Sequence, residues 1–248
     1  MHIALLLSNT LNTLIDTSLR TAIHHYSSSF LGEPVRGPIG HDAAPQRPPD
    51  AGGLESTDMK MTAFEKYFVN RPSHTRTVAA RARELLGHIN YQLGWRYLDV
   101  GCGVGAAACE IAGASNLEVT GVDIDPKQIE AARAGSARPN LHFRVMDATR
   151  LDFPDGQFDI VATSMVTHHI PKWERALDEM VRVLRTGGYL IYSDKVFPHW
   201  LARIIRLFRL MGFPSTTALE SMAASAALVK VHQVQRSGEV DVIWLRNG

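Results

Sequence analysis

The sequence predicts an α/β fold: a three-layer α/β/α sandwich on a seven-stranded, mostly parallel sheet that closes with an antiparallel C-terminal hairpin. Three observations lead there. The apolar run Tyr97-Leu98-Asp99-Val100 enters Gly101-Cys102-Gly103-Val104-Gly105 and leaves into the helix-compatible stretch Ala106 to Ala112, which reads as strand, tight loop and helix. Apolar strand runs then alternate with helical patterns, and that alternation implies a parallel sheet with helices on both faces. Finally, Leu228 to Gln235 and Val240 to Leu245 are separated only by Arg236-Ser237-Gly238-Glu239, a connection suited to an antiparallel hairpin.

The elements follow in chain order. Residues Ile3 to Ile23 carry Leu7, Leu11, Leu14 and Leu19 at helical intervals, so a short amphipathic helix is expected. Gly32 to Gly53 holds Pro34, Pro38, Pro45, Pro48 and Pro49 among glycines and polar residues, the composition of a flexible, partly extended linker. Residues 1–58 therefore read as an extension and linker, and 59–248 as the folded domain, with Met59 or Met61 as alternative starts. From Ala63 to Leu86 the pattern is helical, broken at Arg71-Pro72. Strand two is expected over Leu117 to Val122, a helix with Pro at its first turn over Pro126 to Ala134, and strand three over Leu141 to Met146. Phe158 to Ala162 reads as strand four and Lys172 to Leu184 as a helix. Tyr189 to Tyr192 reads as strand five, preceded by the breaker Gly187-Gly188.

Composition narrows the function classes. A chain of 248 residues with 45% hydrophobic residues can bury one substantial core. A formal net charge of +1 provides no global field to attract nucleic acid or an anionic membrane. Cys102 and Cys109 are the only cysteines, too few for a disulfide framework or a zinc site, and they fit a cytoplasmic protein with reduced, packing thiols. The run Ile3 to Leu7 lacks a preceding Lys or Arg and is soon interrupted by polar residues, so it does not read as a signal peptide.

Alternate glycines after an apolar strand allow a sharp turn and let a ligand lie against the main chain. Gly101, Gly103 and Ala106 also satisfy G-x-G-x-x-G/A, the dinucleotide fingerprint, with Asp123 near the spacing of a ribose-binding acid. The full D-x-G-x-G-x-G form, Asp99 to Gly105, closely resembles motif I of the class I S-adenosylmethionine-dependent methyltransferases, whose sheet also ends in a hairpin. A nicotinamide dehydrogenase would need a further substrate domain, for which the chain has no room. The resemblance covers about residues 64 to 246 and is strongest from Tyr97 to Tyr192. It implies a Rossmann-like fold, S-adenosylmethionine as cofactor and S-adenosylhomocysteine as product.

It also implies roles residue by residue. Asp99 organises the loop near the cofactor's ammonium, while Gly101 and Gly103 allow close approach of the ligand. Gly105 either does the same or lets the next helix pack closely. Asp123, at the carboxyl end of strand two, accepts the ribose hydroxyls, and Ile124 faces the adenine; Asp125 is better placed to cap the following helix. Asp147 at the end of strand three meets the adenine amino group beside the N–H of Ala148, with a simple turn acid as its structural alternative. After strand four, Ser164 and Met165 are expected to contact the cofactor. Of the adjacent pair His168 and His169, at most one enters the site as a base. No metal is expected, since a third ligand is not evident.

The acceptor is less legible. His199 to Met211 is an apolar stretch with Arg203, Arg206 and Arg209 at intervals of three. Such a helix suits a lid, a lipophilic acceptor or a membrane surface, with a lid or core helix favoured. The N-P-P-Y-type tetrad is missing after strand four and basic residues are scattered, which argues against a nucleic-acid acceptor. A small molecule methylated on oxygen, nitrogen or carbon is the leading expectation. A noncatalytic S-adenosylmethionine-binding regulator and a nicotinamide oxidoreductase are the alternatives.

Overall fold

A computed structural model describes residues 70–196, 214–236 and 238–248. The expected helix at Ile3 to Ile23, the proline-rich linker, Phe64, Tyr67, Phe68 and the arginine-bearing stretch His199 to Met211 lie outside those residues.

Helix α1 spans Pro72–Leu86 and starts at the Arg71-Pro72 break, with proline where an N–H would lack a partner. Strand β1 (Arg96–Val100) leads through the glycine loop into α2 (Ala106–Ala114). Next come β2 (Glu118–Asp123), α3 (Pro126–Gly135) and β3 (Leu141–Val145). Strand β4 (Phe158–Ser164) is followed by a 3₁₀ turn over Thr167–His169 and by α4 (Trp173–Val183). Strand β5 covers Leu184–Lys195, α5 Thr216–Ser225, β6 Leu228–Arg236 and β7 Glu239–Arg246.

The sheet has the order β3-β2-β1-β4-β5-β7-β6. Its first five strands are parallel and β7 is antiparallel to both β5 and β6, so the expected seven strands and closing hairpin are present. One core lies on each face. Leu98, Val100, Val161, Leu190 and Tyr192 pack with Leu177 and Met180 of α4 and Leu219 of α5. Tyr97, Val119, Ile160 and Ile191 pack with Leu85 of α1, Ile111 of α2 and Ile129 of α3. Because side chains alternate along a strand, neighbouring residues at the end of one strand serve opposite faces.

Two of the boundary differences bear on the sheet and the site. Gly187-Gly188 does not precede strand five; it lies inside it, since Phe158 pairs with Leu184 and Ile160 with Tyr189 across a bulge. The backbone explains this. Gly187 has φ +73°, and a Cβ on Gly188 would sit 2.6 Å from the carbonyl oxygen of Asp159, so the pair absorbs extra residues where side chains would collide. Strand three ends at Val145, leaving Asp147 in the turn that follows, where it bridges Arg150.

An ionic network ties α1 to the hairpin. Asp241 of β7, 1% exposed, accepts the Ser193 hydroxyl at 2.7 Å and is paired with Arg81 of α1 and Arg236 of β6, while Arg81 also meets Glu239 at 2.9 Å. A buried carboxylate needs such donors to remain charged. Among the described residues no helix is long and apolar enough to cross a membrane.

Candidate active site

The carboxyl ends of the parallel strands gather almost every residue singled out by sequence. Gly101, Gly103 and Gly105 all have positive φ, at +76°, +54° and +80°, a region that glycine enters without strain. The N–H groups of Gly101 and Cys102 both donate to the carbonyl of Val122, at 2.8 and 2.9 Å, which pins the loop to β2.

The three glycines do different work. A Cβ on Gly101 would lie 2.3 Å from Val166, one on Gly105 would lie 2.6 Å from Phe143, and one on Gly103 would meet nothing within 4 Å. Gly101 thus admits the segment after β4, and Gly105 admits the Phe143 ring of β3 and Ala132 of α3. Gly103 keeps an open face. Gly121 belongs with them, because its Cβ would strike the same Phe143 ring.

Asp123 grips the loop with both oxygens: Oδ2 accepts the Gly103 N–H at 2.9 Å and Oδ1 accepts the Asp125 N–H at 2.9 Å. Asp125 accepts from Lys127 N at 3.0 Å and so caps α3 as expected, with Pro126 at the first turn. Ile124 is half-buried. Asp99 is 3% exposed and its Oδ2 is sealed without a hydrogen-bond partner. Burial raises its carboxyl from 3.8 to about 7, the nearby Asp123 charge adds to the rise, and the Ala108 N–H opposes it. Cys102 beside it is a buried free thiol pushed well above its usual range by burial and by the same two carboxylates, which makes it unreactive.

Asp147 is half-buried and its Oδ1 accepts the N–H and the hydroxyl of Thr149, at 2.7 and 2.9 Å. The turn-acid alternative is therefore realised for one of its oxygens. Ala148, also half-buried, packs at the edge of the core that holds α4.

On the far side of the loop, Ser164 ends β4 and Met165 takes φ +57°, a conformation rare for a side chain of its size. Its N–H donates to the carbonyl of Ser193 at 2.8 Å, joining the turn to β5. Strain of this kind persists only where surrounding contacts enforce it. Those contacts converge on Asp194, a residue that reading the sequence missed. Its carboxylate, 0% exposed, accepts the N–H of Val166 at 3.1 Å and of Thr167 at 2.6 Å, the Thr167 hydroxyl at 2.6 Å and the Lys195 N–H at 2.7 Å. His168 Nδ1 lies 2.5 Å from its Oδ1, and Thr167 Oγ1 lies 2.7 Å from the Tyr192 hydroxyl.

Burial alone would raise the Asp194 carboxyl; the His168 charge together with the bonds from His168, Thr167 and Lys195 brings it below its ordinary value instead. The two adjacent histidines separate in character. His168 is 6% exposed and paired. His169 has its imidazole lowered from 6.5 to about 3 by burial and by the like charge of His168, so it is neutral at physiological pH. Their rings tilt against each other with centroids 4.0 Å apart. The signal for Asp194 was available: it is an acid at the carboxyl end of a parallel strand, as Asp123 is.

Known proteins resemble this chain in sequence and fold. The family profile for a methyltransferase domain matches residues 98–192. The 27-O-demethylrifamycin SV methyltransferase of Amycolatopsis mediterranei is 37% identical over 114 residues, 44% of this chain and 42% of that protein. The O-methyltransferase rstn1 of Aspergillus nomiae is 30% identical over 180 residues, 67% of this chain and 80% of that protein. Among solved structures, the PH0226 protein of Pyrococcus horikoshii superposes with a TM-score of 0.61 at 23% identity, covering 72% of this chain and 93% of its own. The matched part spans 42%, 55% and 32% of three curated relatives. Other relatives are named for methyl transfer to nitrogen and to carbon.

Proposed function

The chain belongs to the class I S-adenosylmethionine-dependent methyltransferases, and from that premise we propose that it transfers a methyl group from S-adenosylmethionine to a small-molecule acceptor. One observation carries the reading most: the sealed, unpartnered Oδ2 of Asp99 beside a glycine loop whose middle member, Gly103, presents an open face. A buried carboxylate oxygen without a donor is costly, and a cationic ligand group held nearby would lower that cost through its charge.

When bound, S-adenosylmethionine supplies a methyl group already made electrophilic by its sulfonium. The residues of this chain hold and orient. Asp99 faces the ammonium side, and Gly101, Gly103 and Gly105 keep the loop against the ligand. Asp123 organises the loop from the end of β2 and is the acid that would meet the ribose hydroxyls. Ile124 offers an apolar wall to the adenine, Asp147 and the N–H of Ala148 its polar edge, and Ser164 and Met165 border the reacting end. At most one of His168 and His169 takes a proton. Positioning of this kind contributes on the order of 7–11 kcal/mol in favourable cases, so few groups need to react. The same residues would hold the product, S-adenosylhomocysteine.

Relatives are named for a rifamycin derivative and for a phytyl hydroquinone, which favours a lipophilic small acceptor here. We further propose that residues 59–248 are the complete methyltransferase domain and that 1–58 are dispensable for it. Calorimetric titration with S-adenosylmethionine, S-adenosylhomocysteine, NAD and NADP tests the cofactor. Binding of the first two and not the others is expected, and selective nicotinamide binding overturns the assignment. A truncation starting at Met59 that loses that binding would refute the domain boundary.

A further inference from the structure

We propose that His168, held by Asp194, is the general base of the active site and that the acceptor is therefore a hydroxyl compound, an alcohol or phenol. The inference rests on the methyl-transfer reading above and goes beyond it by choosing between the two histidines and by naming the acceptor class.

Geometry selects His168. Its Nδ1 lies 2.5 Å from Oδ1 of a carboxylate that is 0% exposed. That contact places the ring proton on Nδ1 and leaves the lone pair on Nε2, the opposite edge of the ring. Nε2 has no hydrogen-bond partner among the described residues, and 7% of the side chain stays exposed. Among the described residues His169 has no comparable carboxylate contact, and its imidazole is lowered to about 3 by burial and by His168, which makes it a weak base. Among the described residues the ionisable neighbours of His168 are Asp194 and Lys195 on β5 and the adjacent His169 ring, with the hydroxyls of Thr167 and Tyr192 as the nearby neutral polar groups.

Asp194 is a positioning residue. Its Oδ2 is occupied by Thr167 through both N–H and hydroxyl and by the N–H of Val166. The carboxylate therefore cannot turn away from the imidazole, and the turn carrying His168 is fixed by the same bonds. A merely structural ion pair would need the contact but would not need the second nitrogen left bare.

The step balances as follows. The acceptor O–H proton passes to Nε2 of His168 as the oxygen bonds to the methyl carbon; the carbon–sulfur bond breaks, and its electron pair stays on sulfur as a neutral thioether. Asp194 offsets the imidazolium that results. A hydroxyl must lose its proton as it attacks, whereas an amine attacks through its lone pair, so a base in this place favours the hydroxyl.

The test uses the full chain labelled with ¹⁵N-histidine. NMR of the unsubstituted protein, with and without S-adenosylmethionine, is expected to show the neutral His168 ring protonated on Nδ1 and bare on Nε2. Protonation of the neutral ring on Nε2 overturns the proposal without any variant. In D194N the Nδ1–H form is expected to lose its dominance while calorimetric affinity for S-adenosylmethionine is retained. With labelled cofactor, transfer to catechol or benzyl alcohol is expected to fall about 100-fold or more in H168Q, and likewise in D194N. Transfer to N,N-dimethylbenzylamine, which has no proton to lose, is expected to be undiminished in H168Q; an equal fall for both kinds of acceptor, or undiminished transfer to the hydroxyl compounds, overturns the base role. Failure of the unsubstituted chain to bind S-adenosylmethionine would instead sink the methyl-transfer reading, leaving the tautomer result readable.

Discussion

Asp99 and Asp194 are two aspartates at the carboxyl ends of parallel strands, 3% and 0% exposed, and their environments drive them in opposite directions. Asp99 lies on the α1–α3 side of the sheet with one oxygen lacking a donor, next to a second carboxylate, and it is raised to about 7. Asp194 lies on the side of α4 and α5, surrounded by N–H groups, a hydroxyl and an imidazole, and it is lowered. Equal burial thus gives opposite outcomes, and the supply of donors decides between them. In the proposed reading the first region is compensated by the charge of the ligand, while the second has its donors built in and passes their order on to His168.

The largest effect should come from removing the saturated carboxylate. Asp194→Ala leaves buried donors and a histidine uncompensated, and urea unfolding should show a loss of about 3–5 kcal/mol. A loss under 1 kcal/mol would mean that the two regions differ less than their hydrogen bonds suggest.

Next is the loop, where Gly101→Ala should cost about 2–4 kcal/mol because its φ of +76° is strained for alanine and its Cβ strikes Val166. Gly103→Ala, in open space at +54°, should cost about 1–2 kcal/mol. Val166→Ala in the Gly101→Ala background should recover part of the difference, measured by the same unfolding.

A smaller effect of opposite sign is expected at Asp99. Its folded pKa of about 7 stands above the ordinary 3.8, so the folded form holds a proton that the unfolded chain releases. The stability this contributes is present below about pH 4 and is lost as pH rises through 7. Asp99→Asn should therefore be more stable than the unsubstituted protein at pH 8, by about 1–3 kcal/mol, with the difference closing toward pH 4. The same substitution should weaken S-adenosylmethionine binding. Equal melting temperatures at pH 8 would show that Asp99 has a donor in solution.

The smallest change is expected at His169. Its pKa is lowered to about 3 from 6.5, so its contribution is present above 6.5 and is lost as pH falls toward 3. His169→Gln should flatten the acid side of the melting-temperature profile by a few degrees and leave it unchanged from pH 7 to 8. A His169 resonance titrating near 6.5 would contradict this.

The sequence of Asp99 to Gly105 was enough to place a strand, a loop and a ligand against the main chain, because those properties depend on spacing along a few contiguous residues. The same holds for Asp125 and Pro126, whose cap needs only local geometry, and for the hairpin after Arg236. Gly187-Gly188 misled for the complementary reason. A pair of glycines signals a break along the chain, but β4 supplies a partner strand that turns the break into a bulge. Asp147 likewise reads as a strand end, whereas the nearby Thr149 draws one of its oxygens into a turn.

Sequence alone determined the fold class, the order of strands and helices along the chain, the glycine loop and the acids Asp99 and Asp123 beside it, since periodicity and short-range turn chemistry specify these. Only the tertiary structure decided that Gly105 and Gly121 make room for Phe143, that Asp99 keeps an oxygen without a donor, and that His168 rather than His169 meets Asp194. Each of those depends on contacts across the sheet. Asp194 lies 26 positions beyond His168 in the chain and 2.5 Å from it in space, and no local pattern records that distance.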